Sequence, residues 1–532
     1  MHKTMGRILS LLVILGFIIS IQADLMPKSK SPYKVVCYLG SWANYRYGDG
    51  KFLIEDIDPR LCTHLIYGFA KLGHDNKIAA YDTYLDLKEN WGLGAYNRFN
   101  ELKKKNSELK TLLAIGGWNE GSTKYSMMAR NPSSRKIFVE SCVNFLTKYG
   151  FDGLDLDWEY PAARGGTPED KKNFVLLLME LREAFKPNNM LLTAAVSAGQ
   201  KTIDGAYDIP ALGKYLDFIN LMAYDFHGGW DKLTGHNAPL YLLPNDSEDN
   251  KKLNVDFAVK YWLEKGAPAE KLILGLPFYG RSFTLRDPEQ NDLNAPITGK
   301  GIAGEFTREQ GFLGYNEICK KLEFEKGWNI KVEKHIAAPY AVKERQWIGY
   351  DDIKSIKTKV NYLIKMNLGG AMIWSIETDD FRGRCHGHKY PLLQTINSVL
   401  SGSSEPIPKE VTDNDNSIFP KTSTELPTSK AKPTVPSPST TVSTTPRVVT
   451  GSTRSNKIPV FPNKDVLSCS QSGYFRHPEN CKFFYLCQPK RPGFVNDYLI
   501  YLFTCGAGTV FSEKDRICNF PVNVPECKEK NY

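Results

Sequence analysis

Beyond its N-terminal segment, the 532-residue chain has no apolar run near the roughly 20 residues that a membrane-spanning helix needs. A multi-span membrane protein is therefore excluded. Blocks of Lys or Arg are missing too. The formal charge of +9 comes from 68 basic and 59 acidic side chains spread along the sequence, so nucleic acid is not an expected partner. No Gly-rich turn follows the first β-rich run, where a nucleotide-binding, doubly wound sheet would need one. Histidine is scarce. His386 and His388 flank Gly387 beside Cys385, but no third ligand lies near them, so neither metal nor cofactor is expected. All nine Trp lie before residue 375, and the C-terminal part must work without any.

What is present begins with a basic start (His2, Lys3, Arg7), an apolar run over 8–21 and a small residue, Ala23. Residues 1–23 read as a secretory signal, giving a secreted, extracellular and soluble protein with no membrane anchor, expected to be a monomer. Eleven Cys fit an oxidising compartment, and the odd number leaves one unpaired. Cys142, in an amphipathic stretch over 136–149, is the candidate, acting as a small buried apolar group. From 421 to 450, 19 of 30 residues are Ser, Thr or Pro and none is aromatic, too little apolar surface to offset chain entropy. Residues 401–465 are therefore expected to be a linker suited to O-glycans, between a large domain at 24–400 and a small one at 466–532. The one Asn-x-Ser/Thr site without Pro is Asn245, an expected glycosylation site.

Before the linker, eight short β-rich runs (35–39, 65–69, 111–115, 153–158, 191–196, 218–222, 272–276 and 371–374) alternate with helical patterns such as 171–185 and 254–265. This alternation predicts an α/β fold, a closed (β/α)8 TIM barrel, with an open doubly wound sheet as the alternative. The long connection after the seventh run predicts an inserted α+β lobe over about 282–349. Cys319 in that lobe and Cys385 after the last run are then candidates for a disulfide.

The most informative stretch is 151–161. A strand repeats every two residues, so Asp155, Asp157 and Glu159 project to one face while Leu154, Leu156 and Trp158 take the other. In a barrel the acidic face is the interior, and Glu159 reaches the C-terminal mouth where barrel enzymes place their chemistry. Stacked carboxylates cannot all ionise, so Asp155 and Asp157 are expected to share a proton. Glu159, partly desolvated, is expected to stay protonated near neutral pH as a general acid. Other strand ends add Tyr38 and Trp42, then Gly116-Gly117-Trp118-Asn119, Met222-Ala223-Tyr224-Asp225, Trp230, Tyr279, Arg281 and Trp374. Several Trp facing one mouth suit a platform for sugar rings.

The string from Asp152 to Glu159 resembles the signature of family 18 glycoside hydrolases, the chitinases. Gly116-Gly117-Trp118, the 222–225 block and the Gly369–Trp374 block resemble that family's other motifs. Within the family the chain looks like the arthropod chitinases, the mite allergens among them. The resemblance implies retaining hydrolysis of β-1,4 links in chitin, assisted by the substrate's own N-acetyl group. It implies Glu159 as acid and base, Asp157 holding the acetamide N–H, Asp155 behind it and Tyr224 on the acetamide oxygen. Trp374, Trp42, Trp118 and Trp230 would carry sugars, with polar contacts from Tyr160, Asp225, Arg281 and the lobe's Glu309. It also implies Cys37–Cys62 and Cys319–Cys385 bridges. A non-catalytic chitin-binding lectin is the alternative.

The last segment has six cysteines (Cys469, Cys481, Cys487, Cys505, Cys518, Cys527) in about sixty residues, so disulfides rather than a core should hold it. Their order, with Cys518-Asn519-Phe520-Pro521, resembles a peritrophin-type chitin-binding module of small disulfide-rich β structure. Spacing does not choose among the pairings. Tyr474, Phe475, Phe484, Tyr485 and Tyr501 are divided between sugar stacking and the small core.

Overall fold

The apolar runs form strands because each is buried on both faces, one against helices and the other inside a closed sheet. The computed structural model describes residues 31–402, 467–469, 473–478, 480–489, 498–505, 510–513, 517–519 and 524–527. The expected signal segment and nearly all of the expected linker lie outside these. The first strands are β1 (Lys34–Gly40), β2 (His64–Leu72), β3 (Ile78–Ala80), β4 (Lys110–Gly116) and β5 (Gly153–Asp157). Then come β6 (Leu191–Ser197), β7 (Phe218–Met222) and β8 (Leu272–Pro277).

The lobe holds β9 (Tyr279–Leu285), β10 (Ile297–Lys300), β11 (Phe312–Gly314), β12 (Asn329–Glu333), β13 (Ala338–Lys343) and β14 (Gln346–Gly349), all antiparallel. After it, β15 (Gly370–Trp374) returns to the main sheet. There β1 pairs in parallel with β2 on one side (Tyr38↔Ile66) and with β15 on the other (Cys37↔Ile373), closing the ring β1-β2-β4-β5-β6-β7-β8-β15. This is the eight-stranded parallel barrel expected. β3 is only a hairpin partner of β2.

The lobe starts at Tyr279, earlier than the expected 282. A single residue, Phe278, separates β9 from β8. Its N–H donates to the Trp374 carbonyl (2.8 Å) and its carbonyl accepts from the Tyr315 N–H (2.9 Å), so the chain passes from barrel to lobe without a loop.

Strand alternation divides the packing into two layers. Val36, Tyr38, Ile66, Leu112, Ala114, Phe218, Ile273 and Met372 fill the barrel interior. Leu154, Leu156 and Trp158 belong to the outer layer with the helices, among them Asp170–Phe185 and Pro132–Tyr149. The second of these helices is set by its sequence. The Asn131 side chain accepts from the Ser133 and Ser134 N–H groups, Pro132 opens the first turn, and Gly150 at φ +78° ends it. Cys142 sits in this helix, buried and free. Cys37–Cys62 and Cys319–Cys385 are bonded. Among the described residues no helix is long and apolar enough to cross a membrane.

The C-terminal unit has a three-stranded antiparallel sheet, β16 (Gly473–Arg476), β17 (Phe483–Pro489) and β18 (Tyr498–Thr504), and a hairpin, β19 (Val510–Ser512) with β20 (Ile517–Asn519). Cys469–Cys487 and Cys481–Cys527 are bonded, and Cys505 is also in a disulfide. The side chain of Cys518 lies outside the described residues.

Candidate active site

β5 carries the acidic residues inward, as its alternation requires, and both Asp155 and Asp157 are buried. Neighbouring strands place polar groups at the same level. Asp155 accepts hydrogen bonds from the Tyr38 hydroxyl on β1 (2.7 Å), the Thr193 hydroxyl on β6 (2.5 Å) and Asn220 Nδ2 on β7 (3.2 Å). Asn220 Nδ2 also donates to the Tyr38 hydroxyl (3.0 Å). Burial lifts the Asp155 carboxyl to about 6, and the three hydrogen bonds hold it back.

Asp157 has no such support. Its Oδ1 is buried without a hydrogen-bond partner, and no hydrogen bond joins it to Asp155. Burial first, then the charges of Glu159 and Asp155, push this carboxyl well above its ordinary range. The two carboxyls expected to share a proton thus sit in unlike settings: hydrogen bonds favour charge on Asp155, while burial and neighbouring charge disfavour it on Asp157.

Glu159 stands one strand step further out, half-buried at the mouth. Burial raises its carboxyl to about 7, while the Tyr160 hydroxyl and the Arg164 charge pull it down and Asp225 pushes it up. The adjoining turn after β4 is tight. Gly116 has φ +118°, and a Cβ there would lie 2.1 Å from the Asp157 carbonyl, while Gly117 N–H donates to that carbonyl at 2.8 Å. Burial, then Tyr279 and the nearby carboxylates, keep the Tyr224 hydroxyl protonated well above its ordinary 10. It is a permanent donor facing the Met372 sulfur at 3.8 Å.

Around this centre the strand ends raise an aromatic rim. Trp42 (44% exposed), Trp118 (59%) and Trp230 (58%) open to solvent. Trp374 is half-buried and lies 5.6 Å from Tyr38 and 5.9 Å from Phe69, ring to ring. Asp225 accepts from the Tyr279 hydroxyl (2.7 Å) and from Arg281 Nε (2.7 Å), and the Arg281 guanidinium lies over the Trp230 ring at 5.1 Å. A carboxyl raised to about 7 at the mouth of a buried acidic throat, walled by indole rings, is suited to protonating the bridging oxygen of a glycoside.

The Glycosyl hydrolases family 18 pattern matches residues 34–379. The chain belongs to that family. It is a glycoside hydrolase, and residues 469–527 match the Chitin binding Peritrophin-A domain. The chain is 42% identical over 464 residues to "Probable chitinase 10" of Drosophila melanogaster, covering 86% of this chain but 19% of that longer protein. A crystal structure of Ostrinia furnacalis Group IV chitinase in complex with allosamidin is 46% identical, spans 70% of this chain and 100% of its own, and has a TM-score of 0.68. Human YKL-39, described as a pseudo-chitinase with retained chitooligosaccharide binding, is 45% identical over 69% of this chain and 99% of its own, with a TM-score of 0.64.

Within this family 18 barrel, some residues expected on the groove lie behind it. Tyr38 is 1% exposed and spends its hydroxyl on Asp155, Tyr279 is buried against Asp225, and Ala223 is fully buried. Tyr38 and Tyr279 hold Asp155 and Asp225 in place. Asn119 is exposed beside Trp118, Tyr160 is half-buried beside Glu159, and Met222 packs at the edge of the barrel interior. Glu309 is exposed on the lobe, near enough for its charge to act on Arg281. Asn245 lies exposed in a turn. His386 is exposed and meets the Tyr315 hydroxyl (2.9 Å), and His388 is half-buried. Sequence reasoning missed Thr193 and Asn220, whose signal was a polar residue at an inward position of an apolar strand. It also missed Phe69, ring-stacked with both Trp42 and Trp374, and Arg164.

In the C-terminal unit the aromatic residues sort by strand alternation. Tyr485 is buried with Phe475 against it (5.8 Å), while Tyr474 and Phe503 are exposed on either side of Phe484. The Tyr501 side chain lies outside the described residues.

Proposed function

We propose that the protein is a secreted chitinase that hydrolyses β-1,4 bonds between N-acetylglucosamine units with retention of configuration. The observation that carries this reading is the setting of three carboxyls along one strand: Asp155 held by three hydrogen bonds, Asp157 buried with an unpartnered Oδ1 and its carboxyl pushed up, and Glu159 at the mouth raised to about 7. Glu159 gives its proton to the glycosidic oxygen while the carbonyl oxygen of the substrate's acetamide attacks the anomeric carbon. The C–O bond to the leaving sugar breaks, and an oxazolinium ion forms. Asp157 Oδ1 accepts the acetamide N–H, the Tyr224 hydroxyl donates to the acetamide oxygen, and the buried negative charge at Asp155 favours the cation. Glu159, now a carboxylate, takes a proton from the water that opens the ring.

Trp374 floors the central sugar, Trp42, Trp118 and Trp230 line the groove on either side, and Asp225, Arg281 and Glu309 make polar contacts. The C-terminal unit raises the local concentration of the groove at an insoluble polymer without adding contacts to the bond being cut.

The similarity to YKL-39 gives the lectin reading its weight. Glu159 in its acidic setting speaks against it. Glu159→Gln should lower turnover of a soluble chitin oligomer by about 100-fold or more, the scale of a general acid, while oligomer binding survives. Undiminished turnover in Glu159→Gln, or no turnover in the parent protein, would refute the proposal.

A further inference from the structure

We propose that Arg164 is a positioning residue, clamping Trp118 as a sugar platform and tying that platform to the backbone of Glu159. The inference rests on the functional reading above. The Arg164 guanidinium carbon lies 3.5 Å from the centre of the Trp118 ring, and Arg164 Nη1 donates to the Glu159 carbonyl at 3.0 Å. One side chain thus touches both the indole and the peptide of the acid. Trp118 is still 59% exposed, so the ring face away from the guanidinium is open to a ligand.

The loop bearing Arg164 is held in an unusual shape. Ala162 (φ +63°) and Arg164 (φ +50°) both adopt the left-handed conformation that non-glycine residues seldom take. Buried Asp170 holds the loop from below, accepting from Thr167 N–H (2.8 Å), Ala162 N–H (3.3 Å) and the Ser126 hydroxyl (2.7 Å). The Ser122 hydroxyl donates to the Tyr160 carbonyl (2.7 Å) and accepts from the Trp158 indole N–H (3.0 Å), joining this loop to the Trp118 loop. Backbone strain retained at this point, with such anchoring, directs one side chain. Arginine suits the task because its planar head stacks on an indole and still presents in-plane N–H donors to a carbonyl, whereas an ammonium is a point charge. The same positive charge opposes the upward push that burial exerts on Glu159.

The test uses the full chain with Arg164→Met, which is neutral and similar in length, and Arg164→Lys, which keeps the charge. Binding of the N-acetylglucosamine pentamer is read by tryptophan fluorescence in a Glu159→Gln background. The kcat/KM on the same oligomer is read against pH in the active enzyme. Arg164→Met should bind the pentamer about 2- to 5-fold more weakly, the scale of an exposed cation–π contact. Its basic limb should move to higher pH, since Glu159 loses a positive neighbour. Arg164→Lys should restore the limb while binding stays weak. Unchanged binding together with an unmoved limb in Arg164→Met would overturn the inference. So would a uniform loss of kcat at every pH accompanied by a lower melting temperature. A parent protein without turnover would sink the functional reading alone, and the binding arm would still decide the clamp.

Discussion

Replacing Glu159 with Gln should, besides slowing turnover, strengthen the fold at and above neutral pH. In the folded protein, burial lifts this carboxyl from its ordinary 4.5 to about 7. In the unfolded chain it titrates near its ordinary value. Between those values the folded state keeps a proton that the unfolded chain has released, so stability falls as pH rises through the window. A gap of about 2.5 pH units, at about 1.36 kcal/mol each, gives roughly 3 kcal/mol by pH 8, and partial exposure to solvent brings this to about 2 kcal/mol. Gln has no charge to bury. The variant should therefore be more stable than the parent by about 2 kcal/mol at pH 8 and equal to it at pH 4, with most of the change between about pH 5 and 7. Urea unfolding followed by tryptophan fluorescence measures this directly. All nine Trp lie before residue 375, so the signal reports the barrel and its lobe and not the C-terminal unit. Equal stabilities at pH 8, or a gain at pH 4 as large as at pH 8, would show that Glu159 carries no burial penalty and would remove the basis for its role as acid.

Asn220→Leu deletes a donor to Asp155 and to Tyr38 while keeping the volume. Losing a hydrogen bond to a charged group, about 1.5–3 kcal/mol, should raise the Asp155 carboxyl by about one to two pH units. With Asp155 as the ionised partner in the proposed mechanism, the acidic limb of kcat/KM should then move towards neutrality. An unmoved acidic limb would deny Asp155 that role. Truncation after Leu400 should leave rates on soluble oligomers unchanged and slow the attack on solid chitin by about tenfold or more. Equal losses on both substrates would count against the tether.

Strand positions were legible because barrel strands are buried on both sides and read as short apolar runs between helical patterns. The acidic strand stood out for the opposite reason, three carboxylates at a spacing of two within such a run. What the sequence did not disclose depends on which groups meet across strands. Tyr38 reads as a groove aromatic until β1 is seen to turn it onto Asp155. Thr193, Asn220 and Tyr38 all converge on Asp155 and leave Asp157 without a donor, and no one strand carries that information. Arg164 lies in a loop where Ala162 and Arg164 join Gly165 at positive φ, so the glycines mark a turn but not which side chain it aims. The lobe began earlier than expected because strand continuity through Phe278 leaves no turn residues to mark the boundary.

The ring of strands is sealed by pairing β1 with β15, Lys34 with Gly370 through Cys37 with Ile373. The two edges that must meet are thus the earliest and the latest parts of the barrel to leave the ribosome, and the entire lobe is made between β8 and β15. Throughout synthesis β1 and β8 wait with bare backbone edges, the state in which strands recruit wrong partners. A nascent chain stalled before residue 370 should therefore depend on chaperones, however well its helices and its lobe have formed.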